Sequence, residues 1–198
     1  MPIAGQIRLG QPLYVSYGWD NRATSITMHR LRSLMKVSSM TQELQLKFLR
    51  EAIRLSLEPM LANAGGPFGA IVVRDHTILG RGWNQVTSSN DPTAHAEVVA
   101  IRDACQHLQT FSLEGCELYT SCEPCPLCLA AIYWSRLDRV FYAATCDDAA
   151  VAGFDDRKFY EEIAKPASER SLPMHQALRE EALVALQAWT HKDDRIDY

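Results

Sequence analysis

This 198-residue chain contains no run of the roughly 18 consecutive apolar residues that a membrane-spanning helix needs, so no bilayer crossing is expected. Nor does an apolar segment ahead of a cleavage site stand near Met1, which argues against a secretory leader. Surplus positive charge is missing too. Twenty Lys and Arg face 24 Asp and Glu, a net charge of −4, and a broad basic face able to grip duplex DNA or tRNA is not expected from that balance. No internal repeat or low-complexity tract is present, and no Lys-Ser/Thr follows Gly65-Gly66-Pro67 as a phosphate-binding loop would require. Acid is scarce in the first 39 residues, where Asp20 stands alone against Arg8, Arg22, Arg30, Arg32 and Lys36. That stretch reads as a weakly ordered extension, with Met40 as an alternative first residue and a transit-like segment as a further reading.

What is present suits one globular domain over residues 40–198. The chain is 47% hydrophobic and 22% charged, long enough for one real core and short for two. Ser39 and Gln42 fit a capping box, and Leu44, Phe48, Ala52 and Leu55 then recur at helical spacing toward a stop near Pro59 or Ala64-Gly65-Gly66-Pro67. Phe68–Arg74 and Thr77–Trp83 read as strands around an Asp75-His76 turn. A polar loop, Asn84–Pro92, precedes a helix capped by Asp91 or Thr93 and running to about His107. Cys116–Ser121 reads as a strand, Pro124 opens a helix through Trp134, and Arg139–Ala144 is a strand again. Asp147–Asp156 is a loop or broken helix. Met174–Leu178 is expected as an edge strand and Glu180–His191 as a closing helix. The order predicts an α/β fold, a three-layer α/β/α sandwich around a mixed, mainly five-stranded sheet.

The chemistry concentrates in Thr93-Ala94-His95-Ala96-Glu97 and Glu123-Pro124-Cys125-Pro126-Leu127-Cys128. Each lies where the chain enters a helix, so first-turn side chains can converge on one ion, and a thiolate there gains from the helix dipole. Bunched cysteines without a secretory leader point to metal or redox chemistry rather than a disulfide framework. A redox pair would leave His95-Ala96-Glu97 without a purpose, and an iron–sulfur site starting at Cys122 lacks a nearby fourth cysteine. His95, Cys125 and Cys128 as the three ligands of a zinc ion leave one tetrahedral position open, as in catalytic rather than structural zinc sites. Water in that position has its pKa lowered to about 7. Glu97 stands about 200° round an ideal helix from His95, which argues against co-ligation and fits a carboxylate that moves the water's proton. H-x-E followed by P-C-x-x-C is a deaminase signature with Glu as acid/base. Cys122 reads either as a residue supporting the ligands from behind or as a packing residue.

Residues 40–198 resemble the bacterial guanine deaminases of the cytidine deaminase superfamily. The resemblance rests on Gly65–Ala70, Ser89–Glu97, Tyr119–Cys128, Ala131–Trp134, Asp148–Asp156 and the terminal Tyr198. It implies deamination of guanine to xanthine in a cytoplasmic enzyme of purine catabolism. Asp156 would join Glu97 as a catalytic carboxylate, accepting from the donors on the 2-amino edge, while Asn84 would orient the purine. Phe68 and Trp134 would wall the base, and Ala96 would also meet it. The resemblance further implies a homodimer with swapped C-terminal segments, in which Tyr198 closes the partner's pocket. Bland alternatives stay open at this point: Asp155 or Asp156 as a helix cap, Asn84 as a turn residue, Phe68 and Trp134 as core. A tRNA adenosine deaminase, or a deaminase of another base or nucleoside, is the competing activity. The former wants a basic groove and usually a smaller residue where Phe68 stands.

Overall fold

The computed structural model describes the backbone of residues 21–198 and the side chains of residues 41–198. It divides into units 1–42 and 43–198, and the second holds the sheet and the candidate site described below. The first helix, α1 (Asn21–Leu61), begins well before Ser39, so the expected cap lies inside the helical span. The reason is that no Gly or Pro interrupts Trp19 to Glu58. Pro59 falls in the last turn, and the helix ends two residues later. The weakly ordered extension expected for 1–39 thus falls partly on residues 1–20, outside the described ones, and partly on helical backbone.

β1 (Gly69–Arg74) and β2 (Thr77–Trp83) form an antiparallel hairpin. Its two turn residues, Asp75 and His76, both have positive φ, 49° and 64°, as the primed turns that match strand twist demand. A single-turn helix, α2 (Val86–Ser89), interrupts the expected polar loop. α3 (Ala96–Leu108), β3 (Glu117–Cys122), α4 (Pro126–Trp134) and β4 (Arg139–Ala144) follow. The sheet order is β2-β1-β3-β4, with β1 antiparallel to both its neighbours and β3 parallel to β4.

Alternation along β1 divides the core into two layers. Ala70 and Val72 face α3 and α4, packing with Ala96, Ala100, Ile101 and Ile132. Ile71 and Val73 face the opposite side, with Phe48 and Leu55 of α1 and Tyr119 of β3. The result is the expected three-layer sandwich. α3 lies unusually close to β2, since a Cβ on Gly82 would sit 2.2 Å from the Ala96 carbonyl oxygen and one on Gly80 2.3 Å from that of Ala100. Only glycine permits that approach, and it sets the start of α3 against the end of β2.

The C-terminal part contains α5 (Cys146–Val151), α6 (Arg157–Ala164), a 3₁₀ turn at Ala167–Glu169 and α7 (Arg179–Thr190). The expected fifth strand at Met174–Leu178 is not formed, and the described sheet has four strands. The segment follows Pro173, which cannot donate to a ladder, and stays exposed (Met174 58%, Leu178 69%). β4 is therefore left as an edge.

Candidate metal centre and its cavity

β2 and β3 both run antiparallel to β1, so their carboxyl ends emerge at the same side of the sheet. The chain leaves each end, crosses a short loop and enters α3 or α4. His95 is the N-cap of α3 and Cys125 that of α4, both in extended conformation, with Pro126 fixing the first turn of α4. The expected caps Asp91 and Thr93 instead stop one step earlier, where the Asp91 carboxylate accepts from the Thr93 amide (2.8 Å) and hydroxyl (2.7 Å). His95 therefore precedes the helix, and its angle to Glu97 comes from the helix entry rather than from rotation within one.

His95 Nδ1 lies 3.4 Å from Cys125 Sγ and 3.5 Å from Cys128 Sγ, and all three donor atoms fall within 4.8 Å of one another. Tetrahedral zinc with Zn–N of about 2.05 Å and Zn–S of about 2.3 Å requires N···S edges of about 3.6 Å. The trio is positioned to hold that ion. Its electrostatics point the same way. Hydrogen bonding with Cys128 and with His95 holds the Cys125 thiol down at about 4, while Cys128 is pushed up by its pairing with Cys125, by burial and by Glu97. Hydrogen bonding with Cys125 raises His95. Burial is the main cause that raises Glu97, which is 6% exposed. Two thiolates and a carboxylate share this space comfortably only around a cation.

Glu97 Oε2 lies 3.2 Å from Cys128 Sγ, and its Oε1 accepts from the Thr120 hydroxyl at 3.2 Å. The carboxylate and the three ligand residues border a cavity of about 470 Å³, within the range of small-molecule sites. Phe68, Asn84, Ala96 and Asp156 line it as well. Asn84 Oδ1 accepts from the amides of Gly66 and Val86, both at 3.3 Å. That engages the amide's acceptor and leaves its NH₂ for a ligand, narrower than the donor-and-acceptor pair the sequence suggests. Asp155 is occupied at the start of α6, accepting from the Arg157 amide at 3.1 Å and its guanidinium at 2.7 and 2.9 Å. Asp156 makes no side-chain cap bond, and burial raises its carboxyl, with the Cys125 charge as the next cause.

Two expected pocket residues stand elsewhere within the chain. Trp134 (65% exposed) and Tyr198 (70%) have ring centroids 6.2 Å apart and border a different depression, over α3 beside Phe111 and Arg136. Local sequence cannot place a C-terminal residue against a particular wall. The structure adds lining residues not singled out from sequence: Val86, Thr87, Phe159 and Phe154. Phe154 meets Phe68 edge to face at 4.9 Å. Its place inside Gly153-Phe154-Asp155-Asp156 was the available signal.

The family model for the cytidine and deoxycytidylate deaminase zinc-binding region matches residues 42–144. The chain is 54% identical over 151 residues to a guanine deaminase of Bacillus subtilis, covering 76% of this chain and 97% of that protein. The X-ray structure of guanine deaminase from Bacillus subtilis superposes with a TM-score of 0.75 over 77% of this chain and 97% of that one. A guanine deaminase structure from Nitrosomonas europaea gives 0.52 at 28% identity, over 71% and 81%. A tRNA-specific adenosine deaminase of Aquifex aeolicus is 47% identical over 97 residues, 49% of this chain and 64% of that protein. With the ligand trio, the buried glutamate and the sandwich that positions them, these likenesses show that the chain belongs to the cytidine and deoxycytidylate deaminase zinc-binding family.

Proposed function

We propose that this protein is a zinc-dependent guanine deaminase, converting guanine and water to xanthine and ammonia. The observation that carries the reading is the buried Glu97 carboxylate beside the His95–Cys125–Cys128 trio, at a cavity edged by Asn84 and Asp156. Likeness over nearly the full length of a guanine deaminase supplies the substrate. Bound zinc supplies Lewis acidity that makes water a nucleophile at neutral pH.

The chain's own residues do the rest. The Asn84 amide, its oxygen already engaged, presents N–H donors to the O6 and N7 acceptors of the purine. Asp156 accepts from N1–H and the 2-amino group at the opposite edge, which would direct the carbon bearing that amine toward Glu97 and the residues that would hold zinc. Phe68, with Phe154 at right angles to it, offers an apolar wall. Glu97 takes the proton from water and returns it to the departing nitrogen, so that ammonia leaves and the carbonyl of xanthine remains.

The working unit in this reading is a homodimer in the cytoplasm whose C-terminal segments are exchanged, with Tyr198 brought to the partner's cavity. Exposed apolar side chains support it: Ile163, Leu172, Val184, Leu186 and Ile196 are each more than 60% exposed. No described helix is long and apolar enough to cross a membrane. The test is a substrate panel read by ammonia release, with zinc quantified per chain. About one zinc per chain and ammonia from guanine are expected. Ammonia from cytidine or from tRNA adenosine, with none from guanine, overturns the assignment.

A further inference from the structure

Thr120 is a hydroxyl where the surrounding pattern calls for a hydrocarbon. It sits in the middle of β3, fully buried, its backbone paired with Ala70 on one side and Tyr142 on the other. The residues on its face of the sheet, Leu118 and the β1 neighbours Ala70 and Val72, belong to the apolar layer under α3. A hydroxyl placed there costs stability unless it is bonded, and valine has nearly the same shape without that cost. The hydroxyl bonds to Oε1 of Glu97. Both strand ladders and a β-branched side chain restrict its direction.

The other side-chain partner of that carboxylate is the thiol of Cys128, on Oε2. That proton is absent whenever Cys128 serves as a thiolate ligand, whereas the threonine's is not. We propose that Thr120 is a positioning residue that holds Oε1 of Glu97 and thereby reserves Oε2, the oxygen on the metal-ligand side, for the moving proton. The inference rests on the reading of Glu97 as the proton carrier. A carboxylate free to rotate would offer either oxygen at random and would have to be ordered during each turnover. The threonine removes that step in advance.

Thr120→Val tests the claim in the full, zinc-loaded protein. The expected result is a fall in kcat of about ten- to hundredfold, the range of one hydrogen bond to a charged group, with KM and zinc content unchanged. Thr120→Ser restores kcat to within about threefold, since the donor returns. In the metal-free protein the carboxyl carbon-13 resonance of Glu97, assigned by its loss in Glu97→Gln, shifts in Thr120→Val and returns in Thr120→Ser. A double-mutant cycle completes the test: on a Glu97→Gln background, Thr120→Val costs little further turnover. If valine lowers the folded yield, Thr120→Ala against Thr120→Ser makes the same comparison. Wild-type kcat in Thr120→Val, or an undiminished loss on the Glu97→Gln background, overturns the inference. Full activity of Glu97→Gln itself would instead overturn the reading of Glu97.

Discussion

The sandwich that ends at Ala144 and the segment that follows it bury their apolar residues very differently. In the first, β1 is buried along nearly its whole length and α3 places five apolar residues in the core. In the second, α5, α6 and α7 contain no buried residue, although Phe159, Ile163, Val184, Leu186 and Trp189 lie on them. The metal ligands and Glu97 come from the self-sufficient region, and Asp156 comes from the one that lacks a core of its own. The site therefore joins a scaffold fixed by its own packing to a segment whose apolar side chains are left exposed, a surface that the proposed swapped dimer would cover.

The largest effect should come from the scaffold side. Glu97→Gln keeps the ligand trio and is expected to retain zinc while kcat falls by about a thousandfold or more, within the range attributed to general acid–base work. Zinc analysis beside ammonia release measures both, and substantial turnover in that variant would break the distinction drawn for this residue. Sedimentation should show the same assembly as the wild type, because nothing in the C-terminal segment has been touched.

Asp156→Asn comes next, with an expected loss of about a hundredfold in kcat/KM. The amide cannot accept equally from both guanine donors with its two heavy atoms. Burial, with the Cys125 charge behind it, raises the Asp156 carboxyl. Its ionised form is therefore disfavoured in the fold: its contribution to stability is present below the unfolded pKa and is lost as pH rises through the folded one. Two results follow at once. Turnover should begin to fall, on acidification, at a pH above the ordinary aspartate range, and Asp156→Asn should melt no lower than the wild type at neutral pH. A variant that is both unstable and inactive would make Asp156 a packing residue.

The contrast also explains which parts were readable from sequence. Thr77–Trp83 and Arg139–Ala144 match their expected bounds because alternation and turn residues act locally. The ligands were legible because metal chemistry restricts residue type and spacing together. The cap of α3 was not: local preference favours Asp91 or Thr93, whereas the chain delays the helix until His95 faces the cysteines. The acceptor role of Asn84 Oδ1 was legible in part: its bond from the Val86 amide is the local one a turn residue makes, whereas the bond from the Gly66 amide spans 18 residues. Met174–Leu178 has strand composition but finds no partner strand among the described residues. Trp134, expected to wall the base, instead lies exposed outside the cavity, and Tyr198 poses the strand's difficulty at larger scale, since its expected place at the pocket depends on a second copy.

That last point can be sharpened directly. Leu186→Arg puts a charge on the uncovered face of α7, where it meets only solvent if the chain works alone. If the face is buried against a partner, sedimentation should show monomers, and kcat should fall by about tenfold with zinc retained. Deleting Tyr198 should leave the assembly intact and lower turnover by a similar or smaller factor. Monomeric protein at full rate would confine the site to one chain.

The smallest effect is expected at the seam between the two regions. The Tyr160 hydroxyl of α6 donates to the Pro124 carbonyl at 3.1 Å, one residue before the ligand Cys125. The Glu123 carboxylate accepts from the Cys146 amide at the start of α5, also at 3.1 Å. These bonds tie the segment bearing Asp156 to the loop bearing the metal ligand. Tyr160→Phe keeps the ring and removes one neutral hydrogen bond at a partly exposed position, where water can replace it. A net loss of about 1 kcal/mol or less is the usual scale. Turnover should drop two- to threefold, through kcat if the bond aligns the two carboxylates and through KM if it only shapes the cavity. A fall approaching that of Asp156→Asn would mean that the seam, rather than the scaffold, sets the geometry of the site.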